Sequence, residues 1–274
     1  MTSTSLRPCE MRRHVYLPGA NPYVFHIELK GEALKAVGVL EQITSLFSAQ
    51  RIPILQLGVT GFGENLMLTI FADVGDEKTA AKARVVEDVR KTPYALQVWY
   101  SKPIVKGFCY DDFCFPPTIE GERAIILSKP YYKGFITEGW SRFGTAFPIM
   151  LYLLGFEAGR RAYKDLTYIA GGDRDAEVKV AQSFFQMLGY GKLENVKLDD
   201  RKREAVVRVY DSFECSLFLG VGEIRAGLVR GLIGGWLAAR WGVEKAENMV
   251  VREEKCIARG DTYCEFRVWI EEKR

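Results

Sequence analysis

The chain closes on "VVREEKCIARGDTYCEFRVWI", in which Cys256 and Cys264 bracket Gly260 and follow two glutamates, Glu253 and Glu254. A hairpin loop of three or five residues centred on Gly260 sets the cysteines directly opposite each other, with Cβ atoms about 4.5–5.5 Å apart on one face. That separation suits a disulfide, two packed thiols, or two thiolates on one tetrahedral zinc. The spacing alone does not choose among them. Zinc asks for two more donors. Strict alternation puts Glu254 on the face of Cys256 and Glu253 on the other, so only a bulge brings Glu253 round. Cys215, in "DSFECSLF", ends a predicted strand and is the best-placed distant cysteine.

The remaining chemistry is sparse. Cys109 and Cys114 form a C-x4-C pair in "SKPIVKGFCYDDFCFPPTIEG", half a metal site with no second half nearby in sequence. Their aromatic neighbours favour packing. There are two histidines, His14 and His26, both far from the C-terminal half, so a His-based triad there is excluded. No G-x-S-x-G, P-loop or dinucleotide fingerprint occurs. The pairs Asp111-Asp112 and Asp199-Asp200 fall at predicted turns, where solvation explains them. A zinc with four protein ligands is closed and structural rather than catalytic. The inventory is poor for an enzyme.

Composition sets the broad class. A hydrophobic share of 48% with 27% charged residues fits a soluble globular protein. A net charge of +3 is too small to argue for nucleic acid, and the run Arg201–Glu204 reads as a solvated turn. No helix-turn-helix with a basic recognition helix is visible. The first twenty residues carry no apolar signal core, and the long uncharged run after Arg142 stops at Glu157, short of a bilayer span. A cytoplasmic protein is expected. Asn and Gln together number only ten, which hints at a thermophile, whose cytosol tolerates disulfides.

These residues need elements to hold them. After a tail over 1–20, "YVFHIEL" reads as a strand. Leu34, Val37, Leu40, Ile43, Leu46 and Phe47 then form one apolar helical stripe. "PILQLGVTGF" and "NLMLTIFADV" read as strands joined by a turn, "DEKTAAKARVVEDVRK" as a helix, and "YALQVWY" as a strand. The order β-α-β-β-α-β is the split, ferredoxin-like unit, over 21–103. Residues 104–121 read as a linker. From 122 to 274 come a strand in "ERAIILSKP", a mainly helical run through "TEGWSRFGTAFPIMLYLLGFEAGRRAYKDL" with Pro148 as kink or start, and a helix stopped by Gly189. Two strands, a glycine-rich helix and the closing hairpin complete the chain. Helices and antiparallel strands run in blocks, which predicts α+β.

Gly227, Gly231 and Gly235 recur every four residues. Each costs about 0.5–1 kcal/mol in a helix interior relative to alanine. Close approach of a second helix, or room for a ligand, would account for them. Gly155 and Gly159 offer a matching ridge, to meet the first directly or across a dimer axis. Trp140, Phe143, Phe147 and Tyr152, with Gly231, Gly235 and Trp236, are candidate walls of an apolar small-molecule pocket.

Two resemblances follow. "LKAVGVLEQITSLFSAQRIPILQLGV" resembles the ACT-type regulatory domain, with Gly38 and Leu40 on its effector turn; Ala36-Val37 replace the usual polar-Pro dipeptide. The resemblance implies a dimerising domain, with or without effector binding. "FGTAFPIMLYLLGFEAGRRAYKDL", "GLIGGWLAARWG" and "VVREEKCIARGDTYCEFRVW" resemble the vinyl-4-reductase (4VR) domain from about Glu122 to Ile270. That family implies a small-molecule-binding module, with a structural zinc beside the pocket. Its relatives sense aromatic compounds, hold acyl chains, or are linked to vinyl-group reduction. Its E-x-x-C-x-x-x-G-x-x-x-C signature falls on Glu253, Cys256, Gly260 and Cys264, and so predicts a bulge that turns Glu253 inward. The family's remaining cysteine is missing from "GVGEIRAG", leaving Cys215 or Glu223 to replace it, or a metal-free site. The expectation is a dimeric, non-catalytic sensor of an apolar or aromatic molecule. The alternatives are an enzyme or accessory acting on a vinyl or isoprenoid-like group, and an assembly scaffold.

Overall fold

In the computed structural model, which describes residues 8–11, 13–75 and 79–271, the chain divides into two units, residues 1–125 and 126–274. The first contains β1 (His14–Tyr16), β2 (Pro22–Leu29), α1 (Val39–Ala49), β3 (Ile54–Phe62), β4 (Asn65–Asp73), α2 (Thr79–Arg90), β5 (Ala95–Ser101), β6 (Phe108–Tyr110), β7 (Thr118–Ile119) and β8 (Glu122–Arg123). Its main sheet runs β3-β4-β2-β5 with every pair antiparallel, the arrangement of a split β-α-β unit. One face of β2 buries Phe25, Ile27 and Leu29 against Ile43 and Phe47 of α1 and Val85 and Val89 of α2. The other face packs Val24 with Phe71 and Cys109. Cys109 arrives there because β6 pairs with β1, so strands from the segments read as linker and tail cover that face together. The first seven tail residues, and residues 76–78 at the start of the second predicted helix, lie outside the described residues.

The apolar stripe of α1 differs from the expected one. Leu34, Val37 and Leu40 are exposed, and the buried set is Val39, Ile43 and Phe47. Gly38 explains the shift. Its φ of 87° is open to glycine but strained for other residues, and as the cap of α1 it lets the helix start at Val39, well after the 3-10 turn that ends at Leu34. Gly38 and Leu40 thus sit at the N-terminus of α1.

The second unit contains α3 (Lys129–Phe143), α4 (Ala146–Leu166), α5 (Arg174–Met187), β9 (Lys192–Asp199), β10 (Glu204–Tyr210), α6 (Leu228–Arg240), β11 (Met249–Lys255) and β12 (Cys264–Ile270). Pro148 lies in the first turn of α4 and marks a start, not a kink. The sheet runs β11-β12-β10-β9, antiparallel throughout. Its buried face, with Val207, Val209, Val251, Phe266 and Val268, packs against Val229, Ile233 and Leu237 of α6. The run "ERAIILSKP" makes ladder bonds only at Glu122 and Arg123, because its partner strand β7 is two residues long. No described helix is long and apolar enough to cross a membrane.

The glycine ridges meet directly. A Cβ on Gly235 would strike the Phe156 carbonyl, one on Gly231 the Tyr152 carbonyl, one on Gly155 the Leu228 carbonyl, and one on Gly159 the Leu232 carbonyl. The backbones of α4 and α6 are therefore in contact along both ridges.

The C-terminal end of α6 is fixed by charge. Arg240, with a side chain 2% exposed, donates from Nε and Nη2 to the two oxygens of Asp200 and from Nη1 to Glu177 and the Arg174 carbonyl. Trp241 Nε1 adds a bond to Asp200. Asp200 is thus an anchor rather than a solvated turn residue; Asp199 alone makes the turn, accepting from Arg201 and Lys202 N–H. Hydrogen bonds from Arg240 hold the Asp200 carboxyl at about 2, below its ordinary 3.8. A lowered carboxyl stabilises the fold above its unfolded value and loses that contribution as pH falls through the folded one. The loss therefore lies between pH 3.8 and about 2. Partial exposure of Asp200 discounts it to about 1 kcal/mol. Melting curves of Asp200→Asn should show a flatter acid limb than wild type in that window. Parallel acid limbs would contradict the assignment.

Candidate metal centre

Three pieces of chain converge at the edge of the second unit's sheet. The first is the turn after β10. Asp211, at φ 52°, ends the strand, so Cys215 opens a 3-10 turn rather than closing a strand as its sequence suggests. The second is the end of β11. Glu253 pairs with Phe266 and Lys255 with Glu265, so Glu254 is the extra residue of a bulge. Glu253 is buried with Met249 and Val251, Glu254 is exposed, and after the bulge Cys256 comes to the same side as Glu253. The third is Cys264, the first residue of β12, paired with Val209 of β10. The Lys255–Glu265 pair makes Cys256 and Cys264 the next opposed positions. Gly260 turns the loop at φ 107°, and Asp261 braces it, accepting from Cys256 N–H at 2.8 Å and from Arg259.

The donor atoms of Cys215, Glu253, Cys256 and Cys264 all lie within 4.8 Å of one another, and all four residues are buried. The three thiols are free. Glu223 takes no part; its exposed carboxylate pairs with Arg225 at 2.7 Å. The electrostatics are those of a crowded anionic site. Hydrogen bonds from Cys215 and Cys264 pull the Cys256 thiol well below its ordinary value, while bonds to Cys256 and Cys264 push Cys215 up. Burial, then the charge on Cys256, pushes Glu253 up to about 9. Three sulfurs and one carboxylate oxygen, close-set and shielded from water, match the donor set and closed coordination of a structural zinc.

The second shell is tied to α6. Glu253 Oε2 accepts Ala226 N–H at 3.1 Å. Glu214, fully buried beside Cys215, accepts from Gly227, Leu228 and Val229 N–H at 2.8, 3.0 and 2.9 Å. Two buried carboxylates thus satisfy four consecutive amides around the start of α6, where the helix dipole favours negative charge. Sequence reading missed Glu214. Its signal was faint: an acidic residue directly before a cysteine in an otherwise apolar segment.

The pocket candidates scatter. A cavity of about 100 Å³ lies among α4, α5, α6 and the sheet, lined mainly by apolar side chains including Leu166, Phe184, Phe185, Val207 and Trp236. Of the expected wall residues, Trp236 lines it. Gly231 and Gly235 are covered by the α4 backbone instead. Phe143 is exposed and stacks on Phe147, which fills the space above Gly139. Trp140 lies under the Arg225 guanidinium and Tyr152 under that of Arg230. None of the four cluster residues lines this cavity.

No family model matches the chain. Over 130 residues it is 29% identical to an uncharacterized protein of Methanocaldococcus jannaschii, covering 47% of this chain and 69% of that one. Among solved structures it is similar to the phenol-responsive sensory domain of the transcription activator PoxR with phenol, at 17% identity and TM-score 0.48, over 55% of this chain and 78% of that one. It is also similar to a vinyl-4-reductase family protein of M. jannaschii, at 17% identity and TM-score 0.35, over 54% of this chain and 85% of that one.

Proposed function

We propose that the chain is a non-catalytic sensor of a small apolar or aromatic molecule, with a structural zinc held by Cys215, Glu253, Cys256 and Cys264. The observation that carries the reading is the apolar cavity of about 100 Å³ against α6. A void of this order takes a single aromatic ring or a short alkyl chain. The same helix supplies Ile233, Trp236 and Leu237 to the cavity wall and begins at the amides held by Glu214 and Glu253. Zinc would supply no chemistry to a guest; it would fix the start of the helix that forms the wall.

The test is titration with benzene, phenol, toluene and hexanoate, followed by Trp236 fluorescence and calorimetry. Saturable binding of at least one is expected in wild type. Ala181→Phe, which fills the cavity from α5, should weaken it at least tenfold. Absence of saturable binding across the series would end the sensing reading.

The reading also includes a homodimer. Ile149, Met150, Leu153 and Leu154 expose an apolar side of α4, and Tyr131, Phe135 and Phe143 expose large rings on α3. Uncovered faces of this kind mark association surfaces. Sedimentation equilibrium should return twice the chain mass, and Leu153→Glu with Phe135→Glu should return the chain mass.

A further inference from the structure

The first unit holds a second cluster with metal-binding chemistry. A ring nitrogen of His26, a carboxylate oxygen of Asp111 and Cys114 Sγ lie within 4.8 Å of one another. His26 sits on the central strand β2 and is 1% exposed. Its Nε2 has no hydrogen-bond partner. Asp111 Oδ1 and Asp112 Oδ1 each stand 3.7 Å from it, too far to accept a hydrogen bond. A buried ring nitrogen left unpaired is costly, so its position facing two carboxylates asks for a third party between them.

The separations suit an ion. Donors on one zinc lie about 2.0–2.3 Å from it, which puts tetrahedral donor atoms about 3.3–3.8 Å apart. The surroundings are built to aim the donors. Asp111 Oδ1 accepts Phe113 N–H at 3.2 Å and Cys114 N–H at 2.9 Å, which folds the loop after β6 so that Cys114 returns toward His26. Asp111 Oδ2 takes Arg13 at 2.8 Å, and Arg13 also donates to the Cys114 carbonyl. The Phe113 ring lies against both His26 and Trp99, which are paired across β2 and β5. Thr69 Oγ1 stands 3.5 Å from His26 Nδ1, the ring's other nitrogen. With Cys114 as thiolate, two carboxylates and one guanidinium leave a net of two negative charges, the charge a divalent cation cancels.

We propose that His26, Asp111 and Cys114, with Asp112 beside them, form a second site for a divalent transition-metal ion of the zinc class. The mixed nitrogen, sulfur and oxygen set selects such an ion over calcium or magnesium. This site differs from the cysteine cluster in access. Asp111 and Cys114 both line an open cavity of about 570 Å³, whereas the cluster residues are all buried. The ion here exchanges more readily and keeps a coordination position toward solvent.

The experiment loads the chelator-stripped full chain with cobalt(II) and counts ions per chain, with the thiolate charge-transfer band as the spectroscopic readout. Wild type should bind two ions, and the outer one should be withdrawn first by a competing chelator. Cys114→Ser, a mild change at a half-buried residue, should lose that labile ion and its share of the band while keeping the tightly held ion. His26→Gln should do the same. Cys256→Ser should lose the tightly held ion and keep the labile one. Wild type that binds one ion, unchanged in Cys114→Ser and His26→Gln, overturns the second site. One ion lost in Cys114→Ser but retained in Cys256→Ser upholds it and instead removes zinc from the cysteine cluster.

Discussion

If the cluster holds the proposed zinc, Cys256→Ser should release it and lower the melting temperature of the second unit by about 10–15 °C. The size follows from what is left behind. With a thiolate gone, the ion is held by two sulfurs and one carboxylate, and Cys215, Cys264 and Glu253 stay buried around the vacated position. A structural metal is bound only by the folded state, so its binding free energy is folding free energy. Losing even about 4 kcal/mol of it moves the midpoint of a domain this size by the stated amount. Glu253→Gln should behave similarly, because the same carboxylate faces the sulfurs and accepts the Ala226 amide. Glu254→Gln, one residue on but exposed at the bulge, should stay within about 0.5 kcal/mol of wild type. Zinc analysis by mass spectrometry together with calorimetric melting checks all three. Equal behaviour of the two glutamate variants would remove Glu253 from the ligand set.

Gly235→Ala should be among the most damaging single-methyl additions in the molecule, costing about 3 kcal/mol. Alanine normally gains up to about 1 kcal/mol over glycine in a helix. Here the new methyl would fall on the Phe156 carbonyl, which belongs to the backbone of α4 and has no rotamer to yield. Relief requires α4 and α6 to part, and that also loosens the contacts of Gly155, Gly159 and Gly231. Gly134→Ala supplies the control. It lies in α3 with nothing within 4 Å of its would-be Cβ, so it should be neutral or stabilise by about 0.5–1 kcal/mol. Urea unfolding of the pair separates steric contact from propensity. Similar midpoints would mean that the helices tolerate separation.

The legible parts of the fold were those written in local pattern. Residues Gly155, Gly159, Gly231 and Gly235 announced a helix contact because glycine at four-residue spacing is costly without one. The β-α-β-β-α-β order followed from apolar periodicity and turn residues. The inward turn of Glu253 was different: alternation predicted Glu254, and only the family signature predicted the bulge that reverses the parity, since it leaves no mark of its own in "REEKC". Glu214, Asp200 and His26 were missed for a common reason. Each gains its role from a partner far along the chain: the α6 amides, Arg240, and the loop holding Asp111 and Cys114. A carboxylate at a turn reads as solvated until the strand register brings a cation or an amide to it. The C-x4-C spacing of Cys109 and Cys114 makes no pair: Cys109 packs in the core beside Val24, as its aromatic neighbours suggest, while Cys114 lies near His26.

The two ends of α6 bear on how the cavity can breathe. Carboxylates hold the amides at its start, and Arg240 is locked to Asp200 and Glu177 at its finish. Sliding the helix along its axis in either direction would stretch charge-assisted bonds at both ends at once, so α6 is a fixed beam. The start of α5 is moored as well, through Glu177 and the Arg174 carbonyl. Its far end, carrying Phe184, Phe185 and Leu188 over the cavity, runs into Gly189 and Gly191, two glycines with positive φ. Under the proposed function, a guest larger than the resting void would be accommodated by swinging that end outward, with the Arg240 anchor as the pivot.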